Sequence, residues 1–132
     1  MQKSIDNQFK DDFMQIVIPM SGFGERFRAA GYDVPKPLIK VDGKHIIQYV
    51  VEMFSNDDNF IFICNEDHLI NPEYKMEEIL KGISPNSIII SIPSHKLGPV
   101  YAVMQALDAI SLQKPTIVNY CDFTCYWNYG HF

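Results

Sequence analysis

The feature that most constrains this chain is the alternation of short, almost continuously apolar runs with segments of helical periodicity. The runs occupy 13–19 (FMQIVIP), 60–64 (FIFIC), 87–92 (SIIISI) and 115–121 (PTIVNYC). A strand with one wet face alternates apolar and polar residues, whereas a strand covered on both faces has no polar face to show. The four runs therefore predict a mainly parallel sheet flanked by helices, with Pro19 closing the first strand. Between the runs, Ile46, Ile47, Val50, Val51 and Phe54 recur at helical spacing and predict a helix over 45–54. Asn71 followed by Pro72 reads as the cap and first turn of another, with Met76, Ile79 and Leu80 inward and Gly82 at its end. Gly98 and Pro99 open a third, whose buried stripe is expected to be Val100, Val103, Met104, Leu107 and Ile110. Asp42 and Gly43 mark a tight turn.

No linker divides the chain, so a polar extension over 1–12 and one domain over 13–132 are expected. At 132 residues and 47% hydrophobic, that domain can bury a core without disulfide or metal staples, which excludes general disorder. The net charge of -5 gives no overall attraction for DNA or an anionic membrane. Three irregularly spaced cysteines do not form a secreted disulfide framework, and a reducing compartment is expected. The opening MQKSIDNQFKDD lacks the apolar stretch of a signal peptide, and no run approaches the ~18 apolar residues of a membrane span. The expectation is a cytoplasmic protein with neither a nucleic-acid nor a membrane partner.

The most informative stretch, MSGFGERFRAAGYDVPKPL, follows the first strand. Gly22 and Gly24 let main-chain N–H groups approach a phosphate closely, and a short helix starting near Gly24 would add the positive end of its dipole. Arg26 can fork onto phosphate oxygens, and Lys36, between Pro35 and Pro37, supplies a compact second cation. The glycines alone equally describe an ordinary strand-to-helix turn; Arg26 and the Pro-Lys-Pro segment tip the reading to a triphosphate cradle. The commoner phosphate motifs do not fit. G-x-G-x-x-G fails because position 27 is Phe, and no G-x-x-x-x-G-K-[ST] occurs, which argues against an NAD enzyme and a P-loop ATPase.

P-M-S-G-F-G-E-R-F, followed by V-P-K-P-L-I-K-V-D-G-K-H-I-I, resembles the opening of the sugar-phosphate nucleotidyltransferases, especially bacterial versions associated with capsule and surface-polysaccharide synthesis. The resemblance continues through L-G-P-V-Y-A-V at 97–103 and N-Y-C-D-F at 119–123. It implies a Rossmann-like three-layer sandwich of nucleotidyltransferase or GT-A-like type, incomplete at its C-terminus. By position, the resemblance places Met20, Ser21, Gly22 and Gly24 around the nucleotide, with Arg26 on the departing β,γ-phosphates and Lys36 near the α-phosphate. Leu97, Gly98, Pro99 and Ala102 would lie beside base and ribose, and Asp122 would bind Mg²⁺. The implied reaction is in-line attack by a phosphate oxygen of an acceptor, such as a sugar phosphate, on the α-phosphorus of a nucleoside triphosphate. Asp122 taken alone reads more readily as a turn or helix cap, and the cradle motifs tip it to a metal ligand.

Other features say less. Cys121, Cys125 and His131 match no zinc-knuckle spacing, and a buried strand-end cysteine is the simpler reading. His45, His68 and His95 lack a paired acid or nucleophile; only His95, just ahead of the base-binding segment, invites attention. Tyr120, Phe123, Tyr126, Trp127, Tyr129 and Phe132 either stack on a ligand or await covering protein. Members of the resembled family continue past the metal aspartate with acceptor-binding strands, whereas this chain ends at Phe132. A missing C-terminal half or a homo-oligomer is therefore expected. The competing functions are a nucleotide-binding fragment without turnover and a GT-A-type glycosyltransferase using a nucleotide-sugar.

Overall fold

The computed structural model describes residues 13–22 and 24–131; the extension expected over 1–12, Phe23 and Phe132 lie outside them. Four strands, β1 (Gln15–Met20), β4 (Asn59–Asn65), β5 (Ile88–Ile92) and β6 (Thr116–Val118), form one sheet in the order β5-β4-β1-β6. Every pairing in it is parallel, with Ile18 opposite Phe62 and Ile63 opposite Ile90. A separate antiparallel pair, β2 (Lys40–Val41) and β3 (Lys44–His45), turns at Asp42 and Gly43, both at positive φ, as the sequence predicts.

Helices cover both faces. On one, α2 (Ile46–Val51) and α4 (Met76–Ile83) bury Ile47, Val50, Met76 and Leu80 against Ile16, Ile18, Phe60 and Phe62. On the other, α5 (Gly98–Gln105) sets Ala102, and Ala106 just beyond it, on Val17, Ile61, Ile63 and Ile92. The result is the expected three-layer sandwich. Phe60 and Phe62 stack with ring centroids 6.2 Å apart, and full burial of a ring like that of Phe62 contributes about 1.5–3 kcal/mol.

Several local expectations are corrected. Pro19 does not end β1, because its partner on the β4 side is Ile63 and the strand runs on to Met20. It ends the β6 ladder instead: the Val17 carbonyl accepts from Asn119 N–H, and the next group on that side belongs to Pro19, which has no N–H. β6 itself stops at Val118 rather than 121, because the Asn119 side chain donates to the carbonyls of Tyr120 and Phe123 and bends the chain. β1 and β4 are covered on both faces, whereas the outer strands β5 and β6 are partly exposed.

Helix boundaries shift for similar local reasons. Asn71 makes a turn through its side chain to Glu73 N–H, so α4 begins at Met76 after Lys75 at positive φ, and Gly82 lies inside it. A short helix, α3 (Glu66–Ile70), is capped by Asn65, whose Oδ1 accepts from Asp67 N–H at 2.9 Å. Of the stripe expected on α5 and beyond, Ile110 is buried and Val103 packs partly against the same core, whereas Val100, Met104 and Leu107 are exposed and the small neighbours Ala102 and Ala106 are buried in their place. Alanines allow close approach of helix to sheet, and the larger residues then turn outward.

Candidate functional site

Parallel strands end together, and here the chain leaves β1 and β6 at the point where strand order reverses. Open α/β sheets bind ligands at that carboxyl edge. A cleft of about 570 Å³ lies there, lined by Ser21 and Gly22 after β1, Gly24 and Arg26 at the start of α1 (Glu25–Ala29), and Lys36. Gly98 and Pro99 from α5, and Asp122 beyond β6, complete the set that sequence singles out. The stretch after β1 through Lys36, the start of α5 and the loop beyond β6 thus converge on one cavity.

Gly24 precedes α1 at φ +65° and Gly98 starts α5 at φ +87°, both left-handed conformations that favour glycine. Gly22 has no such φ, and a Cβ added there would meet nothing within 4 Å. Neither backbone strain nor packing accounts for Gly22, so the open space beside it suits a ligand that comes close to main chain. The α1 helix spans five residues, so its dipole is small and the cations and amides carry the attraction. Arg26 is exposed, and Lys36 Nζ lies 4.9 Å from the centre of the Phe27 ring.

Lys36 Nζ and Asp122 Oδ2 form an ion pair at 2.7 Å, with side chains 31% and 39% exposed. The candidate phosphate cation and the candidate metal carboxylate therefore hold one another. No cluster of three or more His, Cys, Asp or Glu residues exists among the described residues. Cys121, one residue earlier, is buried, and burial followed by repulsion from Asp122 pushes its thiol up to about 12. It is an inert apolar neighbour rather than a soft ligand.

Three expected residues lie outside the cavity wall. Met20 and Ala102 are buried in the two cores, and exposed Leu97 does not line the cleft. The cavity also takes in Pro19, Phe27, His95, Lys96 and Tyr120. Lys96 adjoins L-G-P in sequence and was legible from that neighbourhood. The aromatic tail divides: Tyr120 lines the cleft, while Trp127 and Tyr129 pack edge-on against Phe54, and Tyr129 donates to Asp58 at 2.7 Å. Phe123 and Tyr126 are exposed.

No family model matches the chain. The Bifunctional protein GlmU of Ralstonia pickettii (strain 12J) is 28% identical over 109 residues, covering 83% of this chain and 22% of the relative. That of Thermosipho melanesiensis is 24% identical over the same shares. The chain thus spans about a fifth of the length of these curated relatives. Among solved structures, the inositol-1-phosphate CTP transferase from T. maritima superposes with a TM-score of 0.67 at 18% identity, over 84% of this chain and 44% of that one. A nucleoside-diphosphate-sugar pyrophosphorylase from Vibrio cholerae RC9 gives 0.66 at 20%, over 84% and 50%. HddC from Yersinia pseudotuberculosis complexed with GMP-PN gives 0.62 at 23%, over 89% and 51%. The resemblance read from the sequence is borne out, and the chain has the nucleotidyltransferase fold.

Proposed function

We propose that this chain, with its nucleotidyltransferase fold, binds a nucleoside triphosphate in the cleft at the β1–β6 edge and belongs to an enzyme of nucleotidyl transfer. The observation that carries the reading is convergence: three cationic side chains, Arg26, Lys36 and Lys96, and the glycines at 22, 24 and 98 share one cavity in a chain of net charge -5. Local cations in an acidic protein favour a specific anion over bulk polyanions.

The acceptor is a sugar phosphate, as in nucleotide-sugar synthesis for a capsule or surface polysaccharide, in the cytoplasm. One of its phosphate oxygens attacks the α-phosphorus; a new P–O bond forms, the α–β phosphoanhydride bond breaks, and its electron pair leaves with pyrophosphate. Backbone N–H groups around Gly22 and Gly24 hold the leaving phosphates, and Arg26 takes up their growing charge. Lys36 neutralises the α-phosphoryl oxygens.

Asp122 offers one exposed carboxylate at the cavity wall. That donor suits Mg²⁺, which takes one or two carboxylates, phosphate oxygens and water rather than an all-protein cage. When bound, the ion would screen the triphosphate charge. Because Asp122 is, among the described residues, the one carboxylate lining the cleft, a second reading is a chain that binds nucleotide without completing transfer. Pyrophosphate release from a panel of nucleoside triphosphates and sugar 1-phosphates separates the two: release supports transfer, and binding without release supports the second reading. Tightest binding of a nucleotide-sugar, without release from any triphosphate, would instead indicate a glycosyltransferase.

A further inference from the structure

Beside the cleft runs a chain of polar side chains to which the proposed reaction gives no role. Asn65, the last residue of β4, is buried, and accepting from Asp67 N–H at 2.9 Å fixes its amide so that Nδ2 donates to the Ser21 carbonyl at 3.3 Å. Ser94 Oγ lies 2.9 Å from Asn65 Oδ1 and 2.8 Å from Asp67 Oδ2. His95 Nδ1 accepts from Leu97 N–H at 3.1 Å, so the neutral ring carries its proton on Nε2, which donates to Ser21 Oγ at 2.8 Å. The ring rests against Tyr101, centroids 4.7 Å apart.

Ser21 is therefore gripped twice, at its carbonyl by Asn65 and at its hydroxyl by His95. It is also the residue immediately before Gly22, while His95 stands three residues before Gly98. One imidazole thus ties the loop after β1 to the loop after β5, and these loops are two walls of the cleft. Glycines contribute no side chain of their own to hold such a loop, so its placement depends on neighbours.

We infer that His95 and Asn65 are positioning residues of the anion site, fixing Ser21 and hence the amides of Gly22 and Gly24 relative to Gly98 before any ligand arrives. What the loop binds rests on the proposed nucleotide reading; the coupling of the two loops does not. Outer groups that orient a binding shell commonly change affinity by about 10- to 100-fold when removed.

The test compares wild type, His95→Ala and His95→Gln by amide hydrogen exchange without ligand. Exchange over 21–31 is expected to be roughly tenfold faster in His95→Ala with α4 unchanged, and restored in His95→Gln, whose amide offers both an acceptor and a donor. Ser21→Ala, the smallest change that removes the same bond, is expected to give the same acceleration and serves if His95→Ala does not fold. On the same samples, Mg²⁺-nucleoside triphosphate titration is expected to show about tenfold weaker binding for His95→Ala and recovery for His95→Gln. Wild-type exchange and affinity in His95→Ala, or a loss that glutamine does not rescue, would overturn the inference. Failure of wild type to bind any nucleotide would refute the proposed function instead, and the exchange comparison would still decide the coupling.

Discussion

Asp122→Asn removes one negative charge from the cleft while keeping the side chain's shape, and its effect is expected to reverse sign with the metal. The Lys36–Asp122 pair, at 2.7 Å with both side chains about a third exposed, belongs to the exposed class worth at most about 1 kcal/mol. The variant should therefore stay folded, losing less than about 1 kcal/mol in urea denaturation. Toward a triphosphate without metal, the lost carboxylate removes a repulsion: unit charges about 6 Å apart at an effective dielectric of about 40 interact by about 1.4 kcal/mol, a tenfold effect. Lys36 is also released for phosphate. In EDTA the variant should thus bind more tightly than wild type, by about tenfold. With Mg²⁺ the order should invert, because wild type gains affinity from the ion and the variant does not. Isothermal titration in both buffers reads all four values. Wild-type dependence on Mg²⁺ in the variant refutes the metal role, and weaker metal-free binding refutes the charge argument.

Other perturbations follow from the packing. Phe62→Ala should lower unfolding free energy by about 3–5 kcal/mol in urea, because its ring is fully buried in the central layer. Gly98→Ala meets no steric contact but must adopt φ +87°, so a loss of about 1–2 kcal/mol is expected by thermal denaturation. Burial pushes the Cys64 and Cys121 thiols from 9.0 up to about 12, so iodoacetamide at pH 8 should label exposed Cys125 alone in the native protein and all three cysteines after unfolding. These raised values contribute stability that is fully present below pH 9 and lost as pH rises toward 12, which circular dichroism against pH should show as base-induced unfolding.

The architecture was legible in the sequence because burial on both faces leaves a direct trace: β1 and β4 are apolar at nearly every position. The outer strands carry the same trace without the same burial, since an apolar run does not say whether it lies at an edge. The stripe on α5 was misassigned because periodicity marks apolar residues, not which of two adjacent faces meets the sheet. Ala102 and Ala106 won by size. α3 was missed although Asn65, Glu66 and Asp67 form a good helix start, because its five residues show no apolar period. At the site, Gly22, Gly24, Arg26, Lys36 and Asp122 form recognisable ordered motifs, and folding gathers them in one cavity. Asn65 is legible as a helix cap but carried no signal for the site, since its contact there is with a serine carbonyl 44 residues away. His95 drew attention only through its neighbours.

The most direct test of the central claim, that this cleft grips a triphosphate, is calorimetric titration of wild type and Arg26→Ala with nucleoside triphosphates in Mg²⁺. Arg26 is exposed and lines the cavity, so its removal should spare the fold while deleting charge-assisted bonds worth about 1.5–3 kcal/mol. Saturable binding by wild type, weakened by at least about tenfold in Arg26→Ala, is the expected result. Equal affinity in the two proteins, or no binding by wild type, would contradict it.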